Sequence, residues 1–274
     1  MRSGIFSKRG LIACISLLLI ACVLIVSLAE VRMPEASGEK VKKDGDLTID
    51  CSHMDQGYIM VKGKKGKKRL KVRVKTSGVS LNYDLNNEGE YETFPLQFGS
   101  GKYQVALYKN ASGKKYSEEG KVNLSVEMED ELSCFLYPNQ YVNYTADSDC
   151  VVTACEICEG MTDQSQIYKT VCDYIKKNFV YDFIKSVSVK AGVLPDIDGC
   201  WKNRMGICQD LSAVTVAMLR SQGIPARLMI GTLGANTYHA WVVAVVNGEE
   251  KFFDPTAELN ASSKTETYTT ERYY

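Results

Sequence analysis

The sequence has no excess of charge of either sign. Its 274 residues contain 33 Lys and Arg and 33 Asp and Glu, so the formal net charge is zero. A chain without a net positive field does not attract nucleic acid over long distances, and we expect no nucleic-acid partner. The apolar fraction of 45% and the charged fraction of 24% are ordinary for a globular chain and exclude wholesale disorder.

Cysteine is too infrequent for a disulfide-stapled scaffold and repeats are absent, which excludes two further classes of protein. Ten cysteines are too few for a small disulfide-stapled scaffold at this length. No internal repeat or low-complexity tract is present. Because 274 residues exceed what one domain usually needs, we expect two domains.

An uncharged apolar segment follows a basic N-terminus. Residues 11–29 read LIACISLLLIACVLIVSLA, which is 19 positions without charge after Arg2, Lys8 and Arg9. A run of this length after basic residues is typical of a membrane anchor or an export signal. The asymmetry of Lys and Arg around it predicts a cytoplasmic N-terminus, with the rest of the chain at the extracellular face of the membrane or secreted.

Three fates of this segment remain open. A retained anchor is favoured, because the run is longer than the ~7–15 apolar residues of a usual signal peptide. Cleavage after Ala29 is the second, since Ser27 and Ala29 match the small-x-small pattern. Lipoprotein-type processing at Cys22 is the third, although it would leave more apolar chain after the lipidated cysteine.

Composition divides the rest of the chain. Residues 30–45 are polar with Pro and Gly and are interpreted as a linker. Short alternating runs separated by Gly-containing turns predict an antiparallel β-sandwich over 46–130. A connector over 131–149, an α+β domain over 150–256 and a polar tail over 257–274 follow. The strands predicted in the sandwich are 58–61, 70–74, 79–83, 103–108 and 122–126.

One charge run stands out in the sandwich. Nine Lys or Arg lie between Lys62 and Lys75, several of them alternating with apolar residues, so we expect them to share one face of a hairpin. Such a face suits contact with an anionic surface, such as cell-wall polymer or lipid head groups. The favoured interpretation is a solvated edge that lysines protect from pairing with other sheets.

A buried helix in the second half begins at a cysteine. Apolar residues spaced three and four apart predict helices over 151–159 and 165–179, and then a helix from Cys208 to a stop at Gly223. Unpaired N–H groups and the positive end of the helix dipole favour a thiolate at Cys208. Asp210 is interpreted as a partner of the same dipole.

A histidine and an aspartate follow on two predicted strands. His239 and Trp241 point the same way on the first strand, and a turn at Asn247-Gly248 returns the chain to Asp254. His239 and Asp254 can therefore lie on neighbouring antiparallel strands. A Cys, a His and an Asp in this order suit a thiolate nucleophile, its imidazole base and a carboxylate that orients the ring.

These residues resemble the transglutaminase-like superfamily over roughly 150–256. The resemblance implies a papain-like core, in which a helix packs on an antiparallel sheet, and acyl transfer through a thioester. It implies Cys208 as the nucleophile, His239 as the base and Asp254 as its partner. The matching blocks are Gly206-x-Cys208, the run MLRxxGIPAR at 218–227, His239-Ala240-Trp241 and Asp254-Pro255-Thr256.

Each of the three residues also has a structural interpretation. A cysteine at the start of a buried helix is often a small core residue, a lone histidine on an apolar strand is often a satisfied core group, and an aspartate before proline can simply begin a turn. The linked pattern favours catalysis. The alternative is a catalytically inactive cell-surface binding or scaffold protein.

The two tryptophans both lie near catalytic candidates in the sequence. We expect Trp241 to cover the imidazole, and Trp201 either to line the acyl pocket, to donate its indole N–H to the oxyanion, or to pack in the core. The backbone N–H of Cys208 is the expected first oxyanion donor. With only two indoles available as walls and 30 residues between Cys208 and His239, the sequence predicts a wet pocket that favours hydrolysis over crosslinking. The expected substrate is a peptide or protein, cell-wall peptide included.

The other cysteines do not indicate a cofactor. Cys150, Cys155 and Cys158 have a C-x4-C-x2-C spacing found in one ferredoxin class, but two of them and Cys172 fit the apolar faces of their helices. We therefore expect core positions, no metal and no cofactor. Besides Cys208, seven cysteines follow the apolar run, so at least one of them is free if the others form disulfides, and the pairing is open.

Overall fold

The computed structural model describes residues 31–260 and 267–274. The predicted signal or anchor segment at 11–29 lies outside the described residues. Within the described part of the chain, no helix is long and apolar enough to cross a membrane.

The first half is an antiparallel β-sandwich of two four-stranded sheets. Side chains from both sheets form one buried cluster, in which Ile49 and Ile59 of one sheet and Val72 and Leu107 of the other are fully buried. The strands are β1 (Val41–Asp44), β2 (Leu47–Asp50), β3 (Tyr58–Lys62), β4 (Leu70–Thr76), β5 (Val79–Leu85), β6 (Glu92–Pro95), β7 (Gly101–Ser112) and β8 (Lys115–Val126). The sheet orders are β1-β2-β3-β6 and β5-β4-β7-β8.

The basic run does not form a hairpin, and that prediction was wrong. Strand β3 pairs with β2 and β6, whereas β4 pairs with β5 and β7, so residues 63–69 cross from one sheet to the other. Gly63 makes this crossing tight, since a Cβ there would lie 2.6 Å from the Leu70 side chain. The alternation itself is confirmed, because β4 buries its apolar residues and turns its Lys and Arg outward.

The segment interpreted as a linker also contains a strand. Strand β1 pairs with β2 through a tight turn and adds an edge to the first sheet. All four of its residues are exposed, so the segment shows no apolar alternation in the sequence. An exposed edge strand is held by backbone hydrogen bonds, which leave little trace in composition.

The second half is built around one buried helix. This helix, α5 (Cys208–Ser221), lies between strands on one side and helices on the other, and all of its residues are buried. The elements before it are α1 (Asp149–Ile157), α2 (Gln164–Asn178), β9 (Val180–Tyr181), α3 (Phe183–Ser188), α4 (Ile197–Asn203) and β10 (Met205–Gly206). Strands β9 and β10 form a short parallel pair.

An antiparallel sheet in the order β13-β12-β11-β14 packs against α5. Strand β14 lies in the segment predicted as a polar tail. Among the described residues it pairs only with β11, and three of its six residues are exposed, so polar residues are tolerated there. The elements are β11 (Ala226–Leu233), β12 (Thr237–Val246), β13 (Glu249–Phe253), α6 (Pro255–Leu259) and β14 (Tyr268–Tyr273). This α+β core preceded by an all-β sandwich confirms the predicted fold class.

Arg220, near the end of α5, joins three parts of this half. Its guanidinium donates hydrogen bonds to the backbone oxygens of Tyr137 at 2.6 Å, Ala226 at 2.9 Å and Tyr274 at 2.9 Å. Burial lowers the pKa of Arg220 to about 10, which still leaves it charged at neutral pH. The planar fork of an arginine therefore fixes the connector and β11 to the central helix.

Candidate active site

Cys208 is the first residue of α5, and a buried carboxylate fixes this helix start. Asp210 accepts hydrogen bonds from the backbone N–H of Ile207 at 3.1 Å and of Asp196 at 3.0 Å. It also forms an ion pair with Lys185 at 2.7 Å, and it is fully buried. Asp210 thus holds the loops around Cys208 in place, in addition to its favourable interaction with the positive end of the helix dipole.

Gly206 allows this close approach. A Cβ at this position would lie 2.6 Å from the Cys200 sulfur and 2.9 Å from Asp210 Cβ, which is closer than real side chains come. Only glycine fits two residues before the cysteine without moving the helix start.

His239, on β12, faces Asp254, which directly follows β13. His239 Nε2 lies 2.7 Å from Asp254 Oδ2. Cys208 is the second group that acts on the imidazole, since its side chain helps to raise the pKa of His239. The structure therefore brings together the three residues that the sequence selects, with the imidazole between the thiol and the carboxylate.

Four donors surround the Asp254 carboxylate, which is 1% exposed. As the cap of α6, Oδ1 accepts from the backbone N–H of Thr256 at 2.9 Å and of Ala257 at 3.1 Å. Oδ2 faces His239 and also accepts from the Tyr268 hydroxyl at 2.6 Å. Burial acts to raise the pKa of Asp254, but the hydrogen bonds from His239 and Tyr268 outweigh it and lower the pKa. The group is therefore a carboxylate at neutral pH.

The imidazole of His239 is held in its protonated form. Burial opposes a charge here, but the hydrogen bonds with Asp254 and Cys208 and the charges of both groups raise the pKa of His239 to about 9. At neutral pH the site thus holds an imidazolium beside the cysteine. This is the protonation state needed to give a proton to a departing amine.

Tyr268 is a site residue that the sequence analysis missed. It lies on β14, where Gly231 of β11 lets the edge strand come close, since a Cβ on Gly231 would lie 1.9 Å from the Thr269 oxygen. The Tyr268 ring packs edge-on against Trp241 with centroids 5.1 Å apart. In the sequence it is one of three tyrosines in the segment 257–274, and no pattern distinguishes it from the other two.

The two tryptophans occupy different environments. Trp241 is buried and lies nearly parallel to the His239 ring, with centroids 6.2 Å apart, so it covers one side of the imidazole. Trp201 stacks on Tyr174 at 5.8 Å, and the Arg204 guanidinium lies 4.0 Å above its ring. Trp201 thus packs in the helical layer, and it does not line the groove beside Cys208.

A groove of about 650 Å³ opens beside Cys208. One wall is the segment 189–193, which includes Lys190, and the others carry three tyrosines and two charged residues. The tyrosines are Tyr141, Tyr181 and Tyr238, and the charged residues are Glu271 and Arg272. A groove with this lining can hold an extended peptide and the water around it.

The C-x4-C-x2-C cysteines lie in and just after α1. Cys150 and Cys158 are buried and Cys155 is half-buried, and burial raises the pKa of Cys150 to about 12 and that of Cys158 to about 11. Within residues 31–260 and 267–274, no three His, Cys, Asp or Glu are grouped as metal ligands, and all eight cysteines are free thiols.

Residues 153–253 match the family described as the Transglutaminase-like superfamily. The protein contains a transglutaminase-like domain. The matched range includes Cys208 and His239 and ends one residue before Asp254. A search of curated proteins finds no match to the chain.

Several solved structures are similar at low identity. A candidate cysteine protease from Cytophaga hutchinsonii is 16% identical with a TM-score of 0.39, covering 79% of this chain and 91% of that one. A candidate protease from Parabacteroides distasonis is 9% identical with a TM-score of 0.35, covering 76% and 63%. The periplasmic domain of TgpA from Pseudomonas aeruginosa is 14% identical with a TM-score of 0.37, covering 83% and 78%. Similarity at this level carries no inference about activity or substrate.

Proposed function

We propose that the protein is an exported cysteine enzyme that cleaves peptide or side-chain amides through a thioester. The observation that carries this proposal is the buried His239–Asp254 pair, 2.7 Å apart, whose imidazole interacts with a cysteine at the start of a helix. A core histidine needs one hydrogen-bond partner, whereas this one has a buried carboxylate as partner and is also acted on by a thiol.

Acylation begins with attack of the Cys208 sulfur on the amide carbon. The carbonyl oxygen becomes an oxyanion, which the backbone N–H of Cys208 at the start of α5 would stabilise. The His239 imidazolium then gives its proton to the departing nitrogen. The C–N bond breaks, the amine leaves, and the acyl group remains on the sulfur while His239 is neutral.

Deacylation reverses the proton path. Neutral His239 takes a proton from water, the water oxygen attacks the thioester carbon, and the C–S bond breaks to give a carboxylic acid and the thiolate beside the imidazolium. The charged lining of the groove keeps water near the sulfur. The chain between Cys208 and His239 consists of α5, β11 and a turn, which leaves no inserted lid to exclude that water.

The location and the surface partners belong to the same proposal. Residues 11–29 would export the chain and hold it in the membrane, with the enzyme on the outer face. The outward side chains of Lys71, Arg73 and Lys75 on β4 would contact anionic polymer of the cell wall. The substrate would then be a peptide or protein outside the cell, with cell-wall peptide as one class.

A thiol-reactive probe tests the chemistry against an inactive scaffold. Cys208 should react much faster than the other thiols, and the fast phase should be lost in Cys208→Ala and strongly slowed in His239→Gln. The matched control is Cys155→Ala, because Cys155 is more exposed than Cys208 but has no histidine partner. Equal reactivity of the wild type and Cys208→Ala would mean that the domain is a binding module.

A further inference from the structure

Exposed apolar side chains are concentrated in one stretch of the catalytic half. Among the described residues, seven of the thirteen well-exposed large apolar side chains lie between residues 180 and 205. Single exposed apolar residues are normal on soluble proteins, but a concentration of this kind marks a contact surface. The seven are Val180, Phe183, Ile184, Val187, Val193, Leu194 and Met205.

Three of the seven lie on the short helix α3. Phe183 is 65% exposed, Ile184 is 82% exposed and Val187 is 87% exposed. Val187 lies three positions after Ile184 and four after Phe183, so the three side chains share one side of the helix. We call this side the α3 face.

Polar contacts on the opposite side fix the α3 face outward. The Asp182 side chain accepts a hydrogen bond from the Lys185 backbone N–H at 2.8 Å and so caps the helix. The Lys185 ammonium forms its 2.7 Å ion pair with the buried Asp210. Because the inward-directed Lys185 holds the helix in place, the apolar residues are exposed on a fixed helix and not on a loose loop.

One of the seven exposed apolar residues, Leu194, lies close to the start of the described chain. Met33 and Pro34 line a surface groove together with Leu194. The apolar run ends at Ala29, four residues before Met33, and four residues span at most ~14 Å. Whatever holds residues 11–29 therefore lies within about that distance of the groove that Leu194 lines.

Positive charge lies at the same end of the molecule. Asn86 lines the groove with Met33, and the next residue, Asn87, accepts a hydrogen bond at 2.8 Å from the backbone N–H of Gly66. Gly66 is the centre of the loop that joins the two sheets of the sandwich, and Lys64, Lys65, Lys67 and Lys68 flank it. Apolar side chains next to a lysine-rich loop match an anionic lipid surface.

We propose that the α3 face rests on an anionic phospholipid bilayer, the one in which residues 11–29 are held. This inference rests on the membrane attachment in the proposed function. Segment 189–193, which continues from α3, forms a wall of the groove beside Cys208, so the groove opens close to the bilayer. The enzyme would then act on peptide segments presented at the membrane surface.

Tryptophan fluorescence in vesicles tests this contact with the full chain. The vesicles contain phosphatidylcholine and phosphatidylglycerol with brominated acyl chains, which quench only tryptophans that touch the lipid. Ile184→Trp should add emission that is blue-shifted and strongly quenched. Val79→Trp is the matched control, because it is also exposed but lies at the end of β5 opposite Leu85, which lines the groove with Met33. Its emission should be unquenched.

Two results would overturn the proposal. In vesicle-bound protein, equal and weak quenching of the two variants would mean that the α3 face stays in water. A blue shift of Ile184→Trp without vesicles would mean that protein covers the face, either residues 11–29 of the same chain or a second copy. The alkylation rate of Cys208 in the same samples reports separately on the catalytic proposal, since it does not depend on where the new tryptophan lies.

Discussion

The hydroxyl of Tyr268 donates its hydrogen bond to the same Asp254 oxygen that faces His239. Asp254 Oδ2 lies 2.6 Å from the Tyr268 hydroxyl and 2.7 Å from His239 Nε2. The site is thus a chain of four side chains, from Tyr268 through Asp254 and His239 to Cys208. In its reactive form this chain holds two anions and one cation, so its net charge is negative. A neutral donor at one end stabilises that charge where water has little access.

Removal of this donor should make the site easier to protonate. In Tyr268→Phe we expect the acid limb of the Cys208 alkylation profile to move to higher pH, because Asp254 loses a hydrogen bond that lowers its pKa. The facing groups that remain are His239 and the backbone N–H of Thr256 and Ala257. At the pH of maximal reactivity the rate should fall by no more than about tenfold.

Tyr273→Phe is the control for this experiment. Tyr273 lies on the same strand, and its hydroxyl donates to the Gln97 backbone oxygen instead of the triad. A rate that falls equally at every pH in Tyr268→Phe, with an unmoved acid limb, would show that the tyrosine only supports packing.

The raised pKa of His239 predicts a pH dependence of stability. The folded-state pKa of about 9 exceeds the ordinary 6.5, so protonation of His239 favours the folded state. This contribution is complete below pH 6.5 and is lost as the pH rises through about 9. Its size is about 3 kcal/mol if the whole shift counts.

Urea unfolding across this pH range checks the effect. The free energy of unfolding of the wild type should fall between pH 6.5 and pH 9 more than that of His239→Gln, which has no imidazole to titrate. The difference between the two curves removes the titration of tyrosines, lysines and other cysteines. Parallel curves would contradict the strong coupling of His239 to Asp254.

Arg220 should be the most sensitive buried charge for stability. Arg220→Met leaves three backbone oxygens without their donor, and we expect a loss of about 3 kcal/mol. Arg220→Lys should recover little of it, because one ammonium cannot reach three carbonyls in different directions. Arg73→Met, at an exposed position on β4, should change the free energy of unfolding by less than about 0.5 kcal/mol. Equal losses for Arg220→Met and Arg73→Met would show that the hydrogen bonds of Arg220 are not needed.

The parts of the site that could be predicted from the sequence are those with a local pattern. Cys208 begins an apolar helix, and a recognisable turn joins the strand of His239 to the strand that Asp254 directly follows. Each of these signals is local in the chain. Tyr268 has no such signal, because its contact with Asp254 depends on how an edge strand pairs with β11.

The strands of the fold could likewise be predicted only where the sequence has a local pattern. Strands with apolar alternation, such as β4 and β7, could be predicted, whereas the edge strands β1 and β14, which lack it, could not. The loop after Gly63 has the glycines of a hairpin turn, but it connects two sheets. Turn residues show that the chain can bend at a position, but they do not show which strands pair afterwards. Strand pairing depends on burial across the whole sandwich.

The last prediction concerns the acceptor of the acyl group. A crosslinking enzyme must keep water from its thioester while it admits an amine, which requires a closed apolar channel. Here the groove beside Cys208 is lined by Lys190, Glu271 and Arg272, and neither tryptophan lines it. Water is thus the abundant nucleophile at the thioester, and neutral His239 can activate it.

A glutamine-containing peptide incubated with enzyme and a primary amine should therefore give mainly the hydrolysed product by mass spectrometry. Cys208→Ala should give neither product. Predominantly amine-linked product, with the amine far more dilute than water, would show that the groove excludes water and that the enzyme is a transferase.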